Sequence, residues 1–179
     1  MLILGIMAFV LFFLGDINDA FVRSKLLKPC FAVGFILLAV ATALSVKFTP
    51  GLRLLWCAPA LMFGALLIKA LFFSFPVKAA YADAGAEKET VSSGVYALCR
   101  HPGVIFFAGL YICLVPGLGL PALDCALYIA LNVLLAWFED AVVFPRCLEG
   151  YAAYKSRTPF IIPNRESIKN CLSGTDNVR

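Results

Sequence analysis

Two short polar segments carry groups able to bind a charged ligand in a chain that is otherwise strongly apolar. Arg100 and His101 stand directly before Pro102, a residue that fits the first turn of a helix. The pair is therefore predicted at a helix N-terminus, where free N–H groups favour an anionic ligand. Glu139 and Asp140 end a long apolar run. Negative charge is unfavourable at a helix C-terminus, so we expect these acids to reach water or bind a cation.

A third group of polar and aromatic residues lies in the C-terminal tail. Tyr151, Tyr154 and Arg157 are spaced by three, which predicts one shared face of a short helix over residues 146–157. Prolines in the segment 158–163 predict an extended stretch that covers the site. If the three groups meet, their cations, acids and aromatic rings form a pocket suited to a zwitterionic ligand. Each group also has a simpler interpretation: a positive membrane anchor, a helix end in the interface, or an aromatic belt.

The composition of the chain predicts an integral membrane protein, so the elements that position these groups are expected to be membrane helices. Of 179 residues, 62% are hydrophobic and only 15% are charged, and the mean hydropathy is +0.91. A soluble domain is about a quarter charged, and one of this size cannot hide so much apolar surface from water. The same composition argues against disorder and against a coiled coil. A net charge of +4 is too modest to indicate nucleic-acid binding.

Charge-free runs predict an all-α integral membrane protein with about five transmembrane helices, near residues 2–20, 30–47, 53–75, 103–119 and 121–143. The Pro- and Gly-rich sequence 116–121 breaks the last apolar stretch into a helical hairpin. The whole chain, 1–179, is then a single membrane domain. Its parts are the first three spans at 1–77, a cytoplasmic linker at 78–100, the hairpin at 101–144, and a cytoplasmic tail at 145–179 that folds over the site.

The distribution of Lys and Arg predicts the orientation of these helices. One side of the membrane receives the first loop, the third loop and the tail, which carry twelve positive residues: Arg23, Lys25, Lys28, Lys78, Lys88, Arg100, Arg146, Lys155, Arg157, Arg165, Lys169 and Arg179. The other side receives Lys47 and Arg53. The N-terminus is therefore predicted external and the C-terminus cytoplasmic. Lys69 falls within the third span, where it either snorkels to the headgroups or faces a ligand.

Cysteine and histidine usage predicts no metal site and no disulfide framework. The seven cysteines include no CxxC pair, and the chain has one histidine. An odd number of cysteines with mostly apolar neighbours argues against paired thiols. We interpret them as small buried hydrophobic residues.

Two motifs in this chain resemble those of the isoprenylcysteine carboxyl methyltransferases and their phospholipid methyltransferase relatives. The first is Gly-x-Tyr-x-x-x-Arg-His-Pro, represented here by Gly94, Tyr96, Arg100, His101 and Pro102. The second is an acidic pair followed by Tyr-x-x-Tyr, a proline and an apolar-apolar-Pro ending, represented by the list Glu139, Asp140, Tyr151, Tyr154, Pro159, Ile161, Ile162 and Pro163. The resemblance covers about residues 92–164.

The resemblance implies a membrane methyltransferase that uses S-adenosylmethionine. The carried-over cofactor-binding residues are Tyr96, Arg100, His101, Pro102, Glu139, Asp140, Tyr154 and Arg157. In this interpretation Arg100 binds the cofactor carboxylate, an acid binds its ammonium or ribose, and a tyrosine ring contacts the sulfonium or adenine. The resemblance assigns no catalytic residue. This chain departs from the family by having Val104 and Phe106 where Tyr and Gly are usual, which affects the acceptor pocket most.

The acceptor implied by the resemblance is a lipid or isoprenoid: an isoprenylcysteine carboxylate, a phospholipid amine or a similar compound. Membrane lipids are the other expected partners, and the sequence predicts no oligomeric state. Two alternatives stay open. One is a non-catalytic membrane scaffold of the same fold, which the departures at Val104 and Phe106 favour. The other is a nicotinamide-dependent membrane reductase, against which the small number of cations in the tail argues.

Overall fold

The computed structural model describes residues 1–47, 54–73 and 88–173, and this part of the chain is almost entirely helical. The helices are α1 (Leu2–Ile17), α2 (Cys30–Leu44), α3 (Leu54–Ile68), α4 (Pro102–Leu118), α5 (Ala122–Phe138), α6 (Phe144–Cys147), α7 (Tyr151–Arg157) and α8 (Arg165–Ser173). The predicted all-α class is confirmed. Residues 78–87 of the predicted cytoplasmic linker (78–100) and residues 174–179 of the tail lie outside the described residues.

Within the described residues, two helical stretches are long and apolar enough to cross a membrane. They are Leu2–Val22 and Ala122–Cys147, and only 39% and 28% of their most apolar 18-residue windows is buried inside the protein. A core helix of a soluble protein would be mostly buried, so this exposure favours an apolar surrounding. The other apolar helices of the described chain, Cys30–Leu44, Leu55–Leu71 and Pro102–Leu118, are shorter than a full span.

Three of the long helices end in a π-helical turn. These turns are Asn18–Val22 after α1, Lys69–Phe73 after α3, and Glu139–Val143 after α5. Turns of this type concentrate at functional sites, because the wider turn re-aims the side chains that follow it. The turns after α1 and α5 contact each other. Glu139 and Asp140 both belong to this contact region.

The core between the helices is built from aromatic side chains and close backbone approaches. α1 packs against α2 and α5, and α4 packs against α3 and α5. Phe9 and Tyr128 are buried at the centre, with Phe107 and Tyr111 around them. A Cβ atom at Gly5 would lie 2.2 Å from the Tyr128 ring, so only glycine permits this contact. Close approach through small residues is the usual way in which membrane helices pack.

The tail differs from its predicted form in one place. The prediction of a continuous helix over residues 146–157 is wrong. Two helices, α6 and α7, are separated there by the extended residues Leu148–Glu149 and by Gly150 with φ +72°. Leu148–Glu149 pair in parallel with Lys88–Glu89, the only strand pairing in the described chain. This pairing stops the helix and connects the tail to the segment that precedes the first motif.

The helix break predicted within 116–121 falls at the C-terminal end of that segment. α4 continues through Pro116 to Leu118 and ends at Gly119, whose φ of +69° is accessible to glycine at little cost. Residues 119–121 then join α4 to α5. The two helices contact each other, as shown by the edge-on rings of Tyr111 and Tyr128 at 5.8 Å.

Candidate functional site

The first motif lies at the start of α4, as predicted. Pro102 is the first helical residue and is buried, and His101 before it has the non-helical angles φ −125° and ψ 62°. The clash between a proline ring and the preceding residue explains these angles. The N–H groups of Arg100 and His101 donate to the carbonyls of Pro159 and Phe160 at 2.9 and 3.1 Å. The tail is thus fixed over the beginning of α4.

Arg100 joins the two motifs through a bidentate ion pair with Asp140. Its Nε donates to Asp140 Oδ1 at 2.6 Å and its Nη2 to Oδ2 at 3.2 Å. The two side chains are only 9% and 8% exposed. Nη1 of Arg100 also donates to the carbonyls of Lys155 and Thr158. Four of the five guanidinium N–H groups are therefore used to hold the site together.

Lys155 and Tyr151 of α7 complete the environment of Asp140. Lys155 Nζ lies 2.7 Å from Asp140 Oδ2 and donates to the Asp140 carbonyl at 3.0 Å, while its side chain is 41% exposed. The Tyr151 hydroxyl donates to Asp140 Oδ1 at 2.6 Å. Burial first, and then the carboxylate, raise the pKa of Tyr151, so it stays a neutral donor. We call Arg100, Asp140, Tyr151 and Lys155 the clamp.

A second set of bonds connects the tail to the end of α3. The Tyr154 hydroxyl donates to the Tyr96 carbonyl at 2.7 Å, and the Tyr96 hydroxyl donates to the Ala70 carbonyl at 3.2 Å. Tyr154 is buried and Tyr96 half-buried. Burial, with a smaller contribution from Glu139, raises the pKa of Tyr96 to about 12. These two rings therefore line the site as neutral phenols.

His101 is enclosed by aromatic rings and carboxylates. Its ring stacks on Phe144 at 5.6 Å and meets Phe160 edge-on at 5.1 Å. It is 7% exposed, with Nδ1 3.6 Å from Glu139 Oε2. Burial lowers the pKa of His101 to about 4, despite the nearby Asp140 charge that opposes this shift. The imidazole is therefore neutral at physiological pH.

Glu139 and Asp16 form the other side of the site, and we call them the inner carboxylates. Asp16, from α1, is 5% exposed, and its Oδ2 accepts no hydrogen bond from any residue that the structure describes. The Glu139 side chain is 18% exposed. The two acids interact electrostatically where α1 packs on the turn 139–143. Nε2 of His101 makes no hydrogen bond within the described part of the chain and lies 3.8 Å from Asp140 Oδ1.

The structure brings together most of the predicted site residues. Tyr96, Arg100, His101, Pro102, Glu139, Asp140 and Tyr154 surround one region at the end of the helices. Arg157 is exposed at the end of α7, although Tyr151 and Tyr154 of the same helix are buried. Lys69 is exposed in the π-helical turn after α3. Val104 is buried and Phe106 half-buried in α4.

A regular α-helix would turn Asp140 about 100° away from Glu139, yet both acids contribute to the site. Asp140 is buried in the clamp. The reason is the π-helical turn Glu139–Val143, which breaks the helical period used to assign faces. Both acids point into the site, from different sides of it.

Sequence reasoning missed Asp16 and Lys155. Asp16 interrupts the first apolar run, and a carboxylate within an apolar helix is a signal of function. Lys155 follows Tyr151 by one helical turn, a spacing that places both on one face. Neither signal identifies Asp140 as the partner, because that contact depends on the tail folding back.

Comparison with known proteins leaves the chain without a matched relative. No protein-family model, no curated protein and no solved structure matches it. The geometry itself offers aromatic rings, one remaining guanidinium N–H, a neutral imidazole and two inner carboxylates. Such a set can hold a ligand that carries both positive and negative groups.

Proposed function

We propose that this protein is a membrane-embedded methyltransferase that uses S-adenosylmethionine and a lipid-like acceptor at the cytoplasmic membrane face. The observation that carries the proposal is the convergence of the two motifs. Arg100 and Asp140 are 40 residues apart in sequence and form a buried bidentate pair. Tyr96 and Tyr154 are 58 residues apart and share a hydrogen bond. Residues picked out by the resemblance thus surround one site.

The residues present fit such a cofactor in their chemistry. Glu139 can hold the ammonium, and the remaining N–H of Arg100 can reach a carboxylate. Arg157, at the exposed end of α7, is the other arginine that the resemblance assigns to the cofactor. The rings of Tyr96 and Tyr154 can contact a sulfonium or an adenine. The bound cofactor supplies an electrophilic methyl group.

The protein's part in methyl transfer is alignment and exclusion of water. The reaction is an in-line displacement, which gains most from fixed orientation in a dry site. The clamp holds the tail over the beginning of α4, and Phe144 and Phe160 cover His101. Neutral His101 contributes a polar contact without adding positive charge near a sulfonium.

We further propose five membrane spans, with the N-terminus external and the C-terminus cytoplasmic. Two long apolar helices with mostly unburied surfaces support this arrangement, and so does the asymmetry of Lys and Arg. α1, α3 and α5 would then all end at the cytoplasmic face, each in a π-helical turn. Labelling of Cys171 in intact cells by a membrane-impermeant thiol reagent would contradict this orientation.

Ligand binding by the purified protein tests the function. We expect S-adenosylhomocysteine to raise the melting temperature of the wild type. The variant Glu139→Gln should lose most of this shift while remaining folded, and Asp124→Asn, at the opposite end of α5, should keep it. Absence of any shift in the wild type would contradict the methyltransferase proposal.

A non-catalytic scaffold is the second candidate, and one observation favours it. Most hydrogen-bonding capacity of Arg100 is already used within the protein, and Val104 fills a position where the family has tyrosine. A scaffold would be stabilised neither by S-adenosylhomocysteine nor by a nicotinamide cofactor. Stabilisation by the nicotinamide cofactor alone would indicate a reductase.

A further inference from the structure

The last described helix, α8, packs its polar side against the protein. Its start is fixed by two reciprocal hydrogen bonds, in which the Ser167 N–H donates to Asn164 Oδ1 at 2.8 Å and the Asn164 N–H donates to Ser167 Oγ at 3.0 Å. Ser167 is 2% exposed. On the same side of the helix, the Cys171 thiol donates to the Gly94 carbonyl at 3.3 Å. The packed side of α8 therefore carries short side chains that make hydrogen bonds.

The outward side of α8 is the apolar one, and it also carries positive charge. Four exposed residues at the spacing i, i+3, i+4 and i+7 form one face of the helix: Arg165, Ile168, Lys169 and Leu172. Leu172 is 83% exposed, and Ile162, shortly before the helix, is 81% exposed. A surface helix of a soluble protein turns its apolar residues towards the core. The reversed polarity of α8 indicates a partner that is both apolar and negatively charged.

α8 lies close to the end of a helix that we place in the membrane. It contacts the turn Gly94–Ala97, and within this turn the Tyr96 hydroxyl donates to the Ala70 carbonyl at 3.2 Å. Ala70 belongs to the π-helical turn that ends α3. In the membrane arrangement proposed above, α3 reaches the lipid headgroups at this end. Only one short turn of chain then separates α8 from the headgroup layer.

We propose that the outward face of α8 binds anionic phospholipids at the membrane surface. Ile168 and Leu172 insert between lipid molecules, while Arg165 and Lys169 contact phosphate groups. Each such cation changes the binding equilibrium about fivefold. Glu166, the one acid of α8, lies off this face, about 100° from Arg165. The proposal uses the membrane arrangement given above and goes beyond methyl transfer.

Bound lipid also affects the candidate site, because α8 packs on the turn that carries Tyr96. This turn leads directly into Arg100, whose guanidinium holds the clamp. Anionic lipids that hold α8 at the membrane surface therefore restrict the motion of this side of the site. The lipid composition of the membrane thereby influences how firmly the tail covers the start of α4.

Amide hydrogen exchange of the full chain in lipid nanodiscs tests the proposal. One set of nanodiscs contains phosphatidylcholine alone, and the other also contains phosphatidylglycerol. We expect the amides of residues 165–173 to exchange about fivefold more slowly, or slower still, with phosphatidylglycerol, because the bound helix opens less often. Amides in the middle of α5 are the internal control and should exchange equally in both lipids.

Three variants make the test specific. The double variant Arg165→Gln/Lys169→Gln should lose the lipid dependence of exchange in α8. The double variant Lys25→Gln/Lys28→Gln removes the same charge from the first loop and should keep that dependence. Leu172→Ser should speed exchange of α8 in both kinds of nanodisc, because it removes the inserted side chain.

Equal exchange of α8 in the two lipids overturns the proposal, and so does a lipid dependence that survives in Arg165→Gln/Lys169→Gln. Protection that requires two copies of the chain in one nanodisc, and no phosphatidylglycerol, would assign the face to a second copy and also overturn it. Retained lipid dependence without stabilisation by S-adenosylhomocysteine would reject the methyltransferase and keep the lipid-binding face. The two proposals can therefore fail separately.

Discussion

Glu139 and Asp140 are neighbours in sequence and have opposite surroundings. Asp140 accepts hydrogen bonds from Arg100 and Tyr151 and pairs with Lys155, so its charge is fully compensated. Glu139 faces neutral His101 and a second acid, Asp16. The clamp therefore holds the tail in place, whereas the inner carboxylates form no ion pair with a lysine or arginine among the described residues. Adjacent acids in a motif need not share one role.

The largest expected effect on stability distinguishes the structural role of Asp140 from the different role of Glu139. Asp140→Asn removes the charge that compensates Arg100, and breaking a buried pair costs about 3–5 kcal/mol. We expect a much lower melting temperature and loss of the bound tail. Glu139→Gln is the matched control, and it should melt at the same temperature as the wild type or higher. Similar melting of both variants would show that the clamp is not structural.

The next effect concerns His101, which lies between the two regions. Burial lowers its pKa from 6.5 to about 4. Between these pH values the unfolded chain binds a proton that the folded chain does not, so stability falls as pH falls from 6.5 towards 4. The full shift corresponds to about 3 kcal/mol. His101→Gln should flatten the dependence of the denaturant midpoint on pH between 6.5 and 4. If the variant keeps the slope of the wild type, His101 does not cause the loss of stability in this pH range.

A third prediction compares two tyrosine hydroxyls of α7. Tyr151→Phe removes a donor to the Asp140 carboxylate and should cost about 1.5–3 kcal/mol. Tyr154→Phe removes a donor to the neutral Tyr96 carbonyl and should cost about 0.5–1.5 kcal/mol. Chemical unfolding of the two variants measures the difference. Equal losses of unfolding free energy in the two variants would mean that the charge of Asp140 does not strengthen its hydrogen bond with Tyr151.

The smallest effect is expected at the exposed edge of the clamp. Lys155 is 41% exposed, so solvent screens its attraction to Asp140. Lys155→Met should destabilise the fold by less than about 1 kcal/mol. The same unfolding assay checks this value. If Lys155→Met lost as much unfolding free energy as Asp140→Asn, Lys155 rather than Arg100 would be the main cation that stabilises Asp140.

The sequence predicts the local structure of this protein better than it predicts the tertiary contacts. The helix start at Pro102 follows from ring sterics, and the apolar helices follow from composition. The buried position of Asp140 cannot be predicted from the sequence, because a π-helical turn changes the helical period without an obvious sequence signal. Asp16 and Lys155 reach the site only through tertiary packing. Their partners lie too far away in sequence for spacing rules to connect them.

The order of the clamp residues along the chain has a consequence for biosynthesis. Every clamp partner of Arg100 follows it in sequence, and Thr158, whose carbonyl also binds this guanidinium, comes 58 residues later. At about 5–20 residues per second, the ribosome needs about 3–12 s to supply that stretch. Arg100 is therefore exposed while the later helices are being made. In the topology proposed above, its free charge in this interval would help to keep the start of α4 on the cytoplasmic side until the tail is made.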